Sequence, residues 1–236
     1  MRRFHLTQLS NETEFTHEYA QSLAKEFAVH TTCNISDAMD RFRIKGGLEG
    51  ILPIVDGVKM CGTAHTLRFL PAEQTEKKPW PTYIDQVNKG DVVVIDNGGR
   101  TYCTIWGGLL TKKAVEMGIA GTVVYGCCRD VPVIRACNYP VFSKCRYVMT
   151  GKDRIQLDTV NAPVTIADIL VSPNDIMVGD DSGVVCVPIR KAKEILAAVN
   201  DIASKEEGIE GAIKAGVKLT EARKTYGYGE LQRPRD

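Results

Sequence analysis

The sequence lacks the features that mark membrane, secreted and nucleic-acid-binding proteins. Its 30 Lys and Arg are balanced by 29 Asp and Glu, for a formal net charge of +1, so no basic surplus attracts a polyanion. No stretch approaches the roughly 18 consecutive apolar residues of a transmembrane helix. No apolar run of the kind found in signal peptides follows the basic first residues. We therefore expect a cytoplasmic protein with no nucleic-acid partner and no membrane partner.

The composition is that of an ordinary folded chain. Apolar residues make up 44% and charged residues 25% of the 236 residues, close to average globular usage. No internal repeat and no linker-like segment interrupts the sequence. We predict one domain over residues 1–236, with a core over about 32–188 and a helical C-terminal arm over about 189–236.

The eight cysteines include no C-x-x-C pair. Cys127 and Cys128 are adjacent, which suits neither an ordinary disulfide nor a tetrahedral zinc site. In a chain of this size without a leader, cysteines are usually reduced and pack as small apolar residues. We therefore predict free thiols.

The centre of the chain predicts an α/β fold. A strand over 92–96, a helix over 106–117 and a strand over 119–125 form a strand–helix–strand unit, with a loop at 97–100. Such a unit implies a parallel pair of strands with a right-handed crossover.

The flanking segments predict further helices and strands. Ahead of the centre we predict a helix over 14–29, a helix that starts at Thr32 or Asn34 and ends before Gly46, a strand over 60–70, an exposed loop over 71–81 and a short helix to about Asn88. Beyond it we predict strands near 140–148, 163–166, 168–171, 175–179 and 183–187, then a helix over 189–204 and helical residues to about 225.

Two loops leave the carboxyl ends of the adjacent central strands, where α/β sheets bind their ligands. In the first, at 97–110, Gly107 and Gly108 open a helix. Glycines let a ligand approach the backbone closely, and the free N–H groups of a first helical turn attract an anion.

The second loop, at 126–130, carries two useful polar side chains. Arg129 offers a planar fork for a carboxylate, and Asp130 offers a hard oxygen ligand for Mg²⁺ or Mn²⁺. With the helix N-terminus they suit a small 2-oxo acid chelated to a divalent metal. The alternatives are structural, because a Gly-Gly pair is often a plain turn and an Arg-Asp pair is often a salt bridge or a helix cap.

The segment WGGLLTKKAVEMGIAGTVVYGCCRDVPVI at 106–134 resembles the signature of the class II pyruvate aldolases related to 4-hydroxy-4-methyl-2-oxoglutarate aldolase. That family also includes the RraA-like regulators of ribonuclease E activity. The resemblance extends over about 32–225 through TCNISDAMDR (32–41), GTAHTL (62–67), NYPVFSK (138–144), NAPVTI (161–166) and PNDIMVGDDSGVVCVP (173–188). It implies a layered α/β/β/α sandwich with a central strand–helix–strand unit and helical arms at both termini.

The resemblance also implies roles for the residues of both loops. Asp130 matches the direct ligand of a divalent cation, Mg²⁺ or Mn²⁺, and Arg129 matches the arginine that contacts the keto acid. The backbone amides that hold the pyruvate carboxylate match Gly107, Gly108, Leu109 and Leu110. Gly108 departs from the pattern, since aldolase members usually carry an acid there. Its absence weakens water-mediated proton transfer in the aldol step and leaves metal and keto-acid binding intact.

The resemblance also implies an oligomeric enzyme. In the family, a glutamate early in a C-terminal helix reaches into the neighbour's site and holds a metal-bound water. Glu206 matches this catalytic position best, with Glu207 the alternative and a solvated helix face the structural interpretation. We expect a homotrimer, or a hexamer made from two trimers.

Other conspicuous residues are expected to be structural. Asp181 suits a turn, and His65 suits a satisfied position on a strand. Lys112 and Lys113 suit a solvated helix face rather than a Schiff-base lysine. Trp106 is predicted to begin the central helix, where it packs against a subunit or lines the pocket wall.

The predicted function is a divalent-metal-dependent lyase that acts on a 2-oxo acid through a pyruvate enolate. The reaction is aldol cleavage of a 4-hydroxy-4-methyl-2-oxoglutarate-type substrate, oxaloacetate decarboxylation, or both. Two alternatives stay open: a non-catalytic RraA-like regulator that inhibits a ribonuclease, and a lyase for a different 2-oxo acid. The regulators typically lack the metal aspartate, so Asp130 favours catalysis.

Overall fold

The computed structural model describes residues 15–73 and 81–234. Its α-helices are α1 (His17–Phe27), α2 (Thr32–Asp40), α3 (Gly108–Met117), α4 (Val131–Ala136), α5 (Ala192–Lys214) and α6 (Leu219–Thr225). Its strands are β1 (Leu52–Pro53), β2 (Met60–Pro71), β3 (Asp91–Trp106), β4 (Gly121–Cys128), β5 (Val141–Arg146), β6 (Ile155–Val160), β7 (Val164–Ile166), β8 (Ile169–Val171), β9 (Ile176–Asp180) and β10 (Gly183–Val187). Short 3₁₀ helices occupy Ile84–Gln86, Ile189–Lys191 and Tyr228–Glu230. In the part of the chain so described, no helix has the length and apolarity needed to cross a membrane.

Most strands form one mixed sheet in the order β1-β5-β4-β3-β2-β9-β10, and β6 pairs with β2. The neighbouring strands from β2 to β5 run parallel to one another. Strand β9 is antiparallel to both of its neighbours, β2 and β10. The predicted unit β3-α3-β4 is therefore confirmed, with its two strands adjacent and parallel. This pairing brings the ends of β3 and β4 to one edge of the sheet.

Three clusters of buried hydrophobic side chains pack between the layers of the fold. One lies beneath α1, α2 and α5, another beneath α3 and α4, and the third between the strands. Successive side chains of a strand point to opposite faces. In β3, Val93 packs toward α3 while Val94 packs inward, and in β9, Ile176 packs toward α1 while Met177 packs inward. The expected layered α/β/β/α sandwich with helices at both ends is confirmed.

Helix α2 begins at Thr32, one of the two predicted starting residues. Its N-cap is Thr31, whose hydroxyl accepts a hydrogen bond from the Asn34 N–H at 3.2 Å. The Asn34 side chain accepts a hydrogen bond from the Thr31 hydroxyl at 2.6 Å and donates one to Glu206 at 2.7 Å. Thr and Asn are both good caps, so only the observed hydrogen bonds distinguish them.

The end of β3 differs from the prediction. Residues 97–100 are part of the strand, which bulges against β4 because Gly98 and Gly99 adopt positive φ values of 58° and 66°. Trp106 ends this strand rather than beginning the helix. Its ring is buried and stacks on Tyr139, with the ring centroids 6.1 Å apart, so it is a core residue and not a pocket wall.

Two smaller differences concern β4 and β6. Strand β4 continues through residues 126–128, so only Arg129 and Asp130 of the second loop lie outside it. Strand β6 lies where the sequence analysis predicts no element, and only its first residue, Ile155, is buried. Most of the predicted loop at 71–81 falls outside the described residues.

The prediction that all cysteines are free thiols is wrong for two of them. Cys127 on β4 and Cys145 on β5 form a disulfide, with their Cα atoms 4.4 Å apart. They are register partners on adjacent strands, separated by 18 positions in the sequence. The sequence gives no register for strands joined through a helix, which is why the pairing was missed.

We predict that Cys145→Ser lowers the free energy of unfolding of the oxidised protein by about 3 kcal/mol, since the cross-link restricts the unfolded chain. Urea denaturation with and without a thiol reductant measures this. Reductant should destabilise the wild type and leave Cys145→Ser unchanged. The control, Cys137→Ser, removes a half-buried free thiol and should keep the reductant effect. A wild type that is insensitive to reductant would contradict the prediction.

Candidate active site

The carboxyl ends of β3 and β4 place the candidate residues side by side. Gly107 directly follows β3, and Arg129 and Asp130 directly follow β4. The two ends are held together by the Arg129 N–H, which donates to the Trp106 carbonyl oxygen at 2.9 Å. The sequence prediction that these residues meet at one sheet edge therefore agrees with the geometry.

Asp130 has a left-handed backbone conformation, with φ of +56°. Its carbonyl oxygen accepts hydrogen bonds from the N–H groups of Val133 at 2.9 Å and Ile134 at 3.2 Å, so it caps α4 through its backbone. Its side chain makes no capping bond to that helix. Left-handed backbone at a non-glycine residue costs free energy, on the order of 1–3 kcal/mol, and it concentrates at functional sites. Here it leaves the carboxylate free for a partner outside α4.

That partner is the N-terminus of α3. The Gly108 N–H donates to Asp130 Oδ2 at 2.8 Å. A carboxylate at a helix N-terminus is favoured both by this hydrogen bond and by the helix dipole. The bond fixes Asp130 between the two loops that the sequence singled out.

Glycine is required at position 107 because neighbouring atoms lie too close for a side chain, and not because of its backbone conformation. Its φ is −162°, which any residue can adopt. A Cβ atom at this position would lie 2.8 Å from Asp130 Oδ2 and 3.2 Å from Arg129 Cγ. A side chain here would therefore push the carboxylate away from α3.

Two amides remain for a ligand at the same helix end. The first helical hydrogen bond runs from the Thr111 N–H to the Gly107 carbonyl, at 3.0 Å. The Gly108 N–H is already bonded to Asp130. The N–H groups of Leu109 and Leu110 have no hydrogen-bond partner among the described residues. The Leu109 side chain is exposed, whereas Leu110 packs on the core.

Arg129 and Asp130 form an open pair. Arg129 Nε lies 3.7 Å from Asp130 Oδ2, and the two side chains are 41% and 44% exposed. Exposed ion pairs of this kind contribute little to stability. Both groups are consequently accessible to a ligand, and stability alone does not account for their placement.

The donor set suits a metal that keeps most of its coordination sites for water and substrate. Within residues 15–73 and 81–234, no group of three or more His, Cys, Asp or Glu could hold a metal ion. Asp130 supplies a single half-exposed carboxylate, with Oδ2 engaged by Gly108. Mg²⁺ is commonly held by one or two carboxylates plus waters and substrate oxygens, so the residues present fit such an ion.

Glu206 is not brought to Asp130 within the chain. It lies on α5, which packs against α1 and α2 on the other side of the fold. Its Oε2 accepts a hydrogen bond from Asn34 Nδ2 at 2.7 Å. Glu207, the alternative, is exposed.

Most of the remaining candidates are structural, as expected. Asp181 lies in the turn between β9 and β10, and its side chain accepts a hydrogen bond at 2.8 Å from the N–H of Gly57, which lies outside that turn. Lys113 lies 3.3 Å from Glu116 in a surface ion pair, and Lys112 is exposed.

His65 differs from its prediction as a satisfied group. Its side chain is buried on β2, and Nε2 has no hydrogen-bond partner in the described part of the chain. Burial lowers the pKa of His65, and the nearby Asp91 carboxylate opposes that shift. It contacts neither Arg129 nor Asp130 in the hydrogen bonds and ion pairs described, so it lies outside the candidate site.

Comparison with known proteins places the chain in a family. The model of the RraA-like family, described as Aldolase/RraA, matches residues 32–186. The chain belongs to the RraA-like family. The matched segment contains Gly107, Gly108, Arg129 and Asp130, and ends before α5 and Glu206.

Two relatives show how far the likeness extends. The chain is 42% identical over 201 residues to protein DlpA of Legionella pneumophila, a match that covers 83% of this chain and 33% of DlpA. It therefore spans about a third of that relative. It is 28% identical over 194 residues to a protein of Halalkalibacterium halodurans named as a putative 4-hydroxy-4-methyl-2-oxoglutarate aldolase, covering 82% of this chain and 89% of that protein.

Two crystal structures have the same RraA-like fold. An uncharacterised protein of Pseudomonas syringae superposes with a TM-score of 0.80 at 39% identity, covering 86% of this chain and 97% of that one. RraAS2 of Streptomyces coelicolor, titled as an unusual member of the RNase ES inhibitor RraA protein family, has a TM-score of 0.71 at 26% identity. That superposition covers 79% of this chain and 94% of RraAS2.

We predict that Gly107→Ala weakens Mn²⁺ binding at least about tenfold, because the new Cβ displaces the Asp130 carboxylate that the Gly108 N–H orients. Calorimetric titration with Mn²⁺ measures the affinity. The control is Gly211→Ala on α5, where a Cβ would meet no atom within 4 Å. Equal affinities in Gly107→Ala, Gly211→Ala and wild type would contradict the role given to this glycine.

Proposed function

We propose that this RraA-like chain is a divalent-metal-dependent lyase that cleaves a carbon–carbon bond of a 2-oxo acid through a pyruvate enolate. The observation that carries the proposal is the convergence of the Asp130 carboxylate, the Arg129 guanidinium and the N-terminus of α3 at one sheet edge. Relatives named as putative aldolases support the same reaction class.

Different groups of the chain bind the substrate carboxylate, the keto-acid oxygens and the cation. The Leu109 and Leu110 N–H groups and the dipole of α3 bind the carboxylate of the 2-oxo acid. Arg129 pairs with negative charge on the keto-acid oxygens, for which its planar fork is suited. Asp130 would hold the divalent cation, with the Gly108 N–H fixing the carboxylate's orientation. When bound, that cation supplies Lewis acidity, which stabilises charge developing on the keto oxygen.

Glycine at position 108 bears on which of the two reactions is favoured. Aldol cleavage requires a proton to leave the 4-hydroxyl group of the substrate, and general-base assistance accelerates that transfer. Oxaloacetate decarboxylation yields the same enolate by loss of CO₂ and needs no such base. A chain with Gly108 in place of an acid is therefore better suited to decarboxylation than to aldol cleavage.

We predict that Asp130→Asn abolishes EDTA-sensitive release of pyruvate, because the neutral amide is a far weaker ligand for a hard cation. Pyruvate is followed with lactate dehydrogenase and NADH over a panel of 2-oxo acids, with Mg²⁺ or Mn²⁺. Asp181→Asn, at a carboxylate in a turn of another part of the fold, should retain activity. Wild-type rates in Asp130→Asn, or wild-type activity in EDTA, would exclude the proposed mechanism.

A second prediction concerns Gly108→Asp, which should raise the ratio of aldol cleavage to oxaloacetate decarboxylation. Gly108 lies outside the left-handed region, so aspartate can adopt its backbone conformation. Its Cβ would lie 3.2 Å from Val133 Cγ1, a tight contact that the valine must relieve. Gly108→Ala controls for this contact without adding a carboxylate. The same ratio in the aspartate and alanine variants, both well folded, would show that this position does not select the reaction.

We further propose that the active protein is a homotrimer or a hexamer of two trimers, in which Glu206 completes a neighbour's site. The separation of Glu206 from Asp130 within the chain supports this arrangement. Inactive Asp130→Asn and Glu206→Gln proteins, mixed one to one and reassembled, should recover about a quarter of the wild-type activity, because a random mixture forms that fraction of intact shared sites. No recovery, in mixed oligomers verified by light scattering, would contradict a shared site.

A regulatory role is the second candidate, favoured by the fold shared with RraAS2. A non-catalytic inhibitor of a ribonuclease acts through its surface and needs no metal carboxylate. Ribonuclease inhibition that is equal in wild type and Asp130→Asn, together with no pyruvate release from any 2-oxo acid, would support this role instead.

A further inference from the structure

The last residues of β4 pair irregularly with both neighbouring strands. Beside β3, the register shifts at three places past Asp96, and beside β5 it shifts just before Cys127. The regular ladders therefore end before the segment that leads to Asp130. The disulfide between Cys127 and Cys145 is the covalent bond that holds this segment to β5.

Asp130 depends on such a constraint, because its left-handed backbone is unfavourable by itself. A non-glycine residue keeps this conformation only where the surrounding structure enforces it. Asp130 lies three positions after Cys127, so a movement of β4 away from β5 is transmitted to it directly. Breaking the disulfide therefore allows the Asp130 backbone to relax and its carboxylate to leave the Gly108 N–H.

The two sulfur atoms of the disulfide differ in exposure. Cys127 is 1% exposed, whereas Cys145 is half-buried. Strand β1 pairs with β5 at Phe142 and Ser143, two residues short of Cys145, and residues 146–149 are exposed. A thiolate that arrives from solvent therefore reaches the sulfur of Cys145 and not that of Cys127.

The buried sulfur has a hydrogen-bond acceptor beside it. The carbonyl oxygen of Thr101 lies 3.4 Å from Cys127 Sγ. Once the disulfide is broken, the Cys127 thiol can donate a hydrogen bond to this oxygen. The folded protein can therefore accommodate the reduced form without leaving this buried donor unsatisfied.

We propose that the Cys127–Cys145 disulfide is a redox switch, in which a dithiol reductant breaks the bond and weakens cation binding at Asp130. A thiolate of the reductant attacks Cys145 Sγ and forms a mixed disulfide, while Cys127 leaves as a thiolate and takes a proton from water. The second thiol of the reductant, after losing its proton to water, attacks its partner sulfur in the mixed disulfide and releases Cys145 as a thiol. The protein gains two electrons and two protons, and the dithiol becomes a disulfide. The inference rests on the proposed function, in which Asp130 holds the cation.

The first measurement tests whether the bond is reduced in the folded protein. Wild type is incubated with dithiothreitol while its fold is monitored by circular dichroism. Acid quenching, alkylation in denaturant and mass spectrometry then count the free thiols. The count should rise from six to eight with an unchanged circular dichroism spectrum. Reduction that occurs only when the protein unfolds would overturn the inference, because the disulfide would then be a structural cross-link.

The second measurement compares Mn²⁺ affinity by calorimetry in oxidised wild type, in reduced wild type freed of dithiothreitol, and in Cys145→Ser. The two forms without the disulfide should bind Mn²⁺ at least about fivefold more weakly. Reoxidation should restore the affinity of wild type and leave that of Cys145→Ser unchanged. The control is Cys33→Ser, which removes an exposed thiol on α2 and should respond to reduction as wild type does.

Equal Mn²⁺ affinity in oxidised and reduced wild type overturns the inference and leaves the proposed function standing. A loss in Cys145→Ser that reduced wild type does not share also overturns it, because that loss belongs to the substitution and not to the missing bond. If Cys33→Ser no longer responds to reduction, the effect belongs to Cys33 and the inference fails. Reduced wild type has the natural sequence, so the comparison holds even where Cys145→Ser folds poorly. If oxidised wild type binds no Mn²⁺, the proposed function fails, and the switch fails with it.

Discussion

The hydrogen bond from the Gly108 N–H to Asp130 Oδ2 is the interaction on which the candidate site depends. It joins the first residue of α3, which follows β3, to the residue that lies between β4 and α4. It requires β3 and β4 to be parallel and adjacent, it requires no side chain at Gly107, and it requires a left-handed backbone at Asp130. Each requirement is met by a different part of the chain, and together they fix one carboxylate at the N-terminus of α3.

The same interaction limits what the helix N-terminus can bind. The Gly108 N–H of its first turn is already bonded to the Asp130 carboxylate, which leaves the N–H groups of Leu109 and Leu110 for a ligand. Under the proposed function, this helix end would hold a ligand anion and a cation-binding carboxylate side by side. This proximity is what a chelate between a 2-oxo acid and a divalent ion requires, and it explains why Arg129 and Asp130 can be half exposed without being ordinary surface residues.

The layered fold separates Asp130 from Glu206. Asp130 follows β4 next to α3 and α4, whereas Glu206 lies on α5, which packs on the opposite side with α1 and α2. Both are in one chain of 236 residues, yet no described contact joins them. Under the proposed function, a role for both residues in one reaction would therefore need a second copy of the chain.

The strand–helix–strand unit and the residues at its carboxyl edge follow from local sequence patterns, since continuous apolar runs at 92–96 and 119–125 and the glycines between them leave few other folds. The sequence by itself did not determine that Trp106 belongs to β3, because bulges at Gly98 and Gly99 extend that strand beyond its apolar run. Nor did it determine the Cys127–Cys145 pairing, which depends on the register of β4 and β5. The left-handed conformation of Asp130, which leaves its carboxylate at the N-terminus of α3, likewise depends on tertiary packing. Local patterns specify which face of an element is apolar, whereas register and side-chain partners arise only when elements distant in sequence pack together.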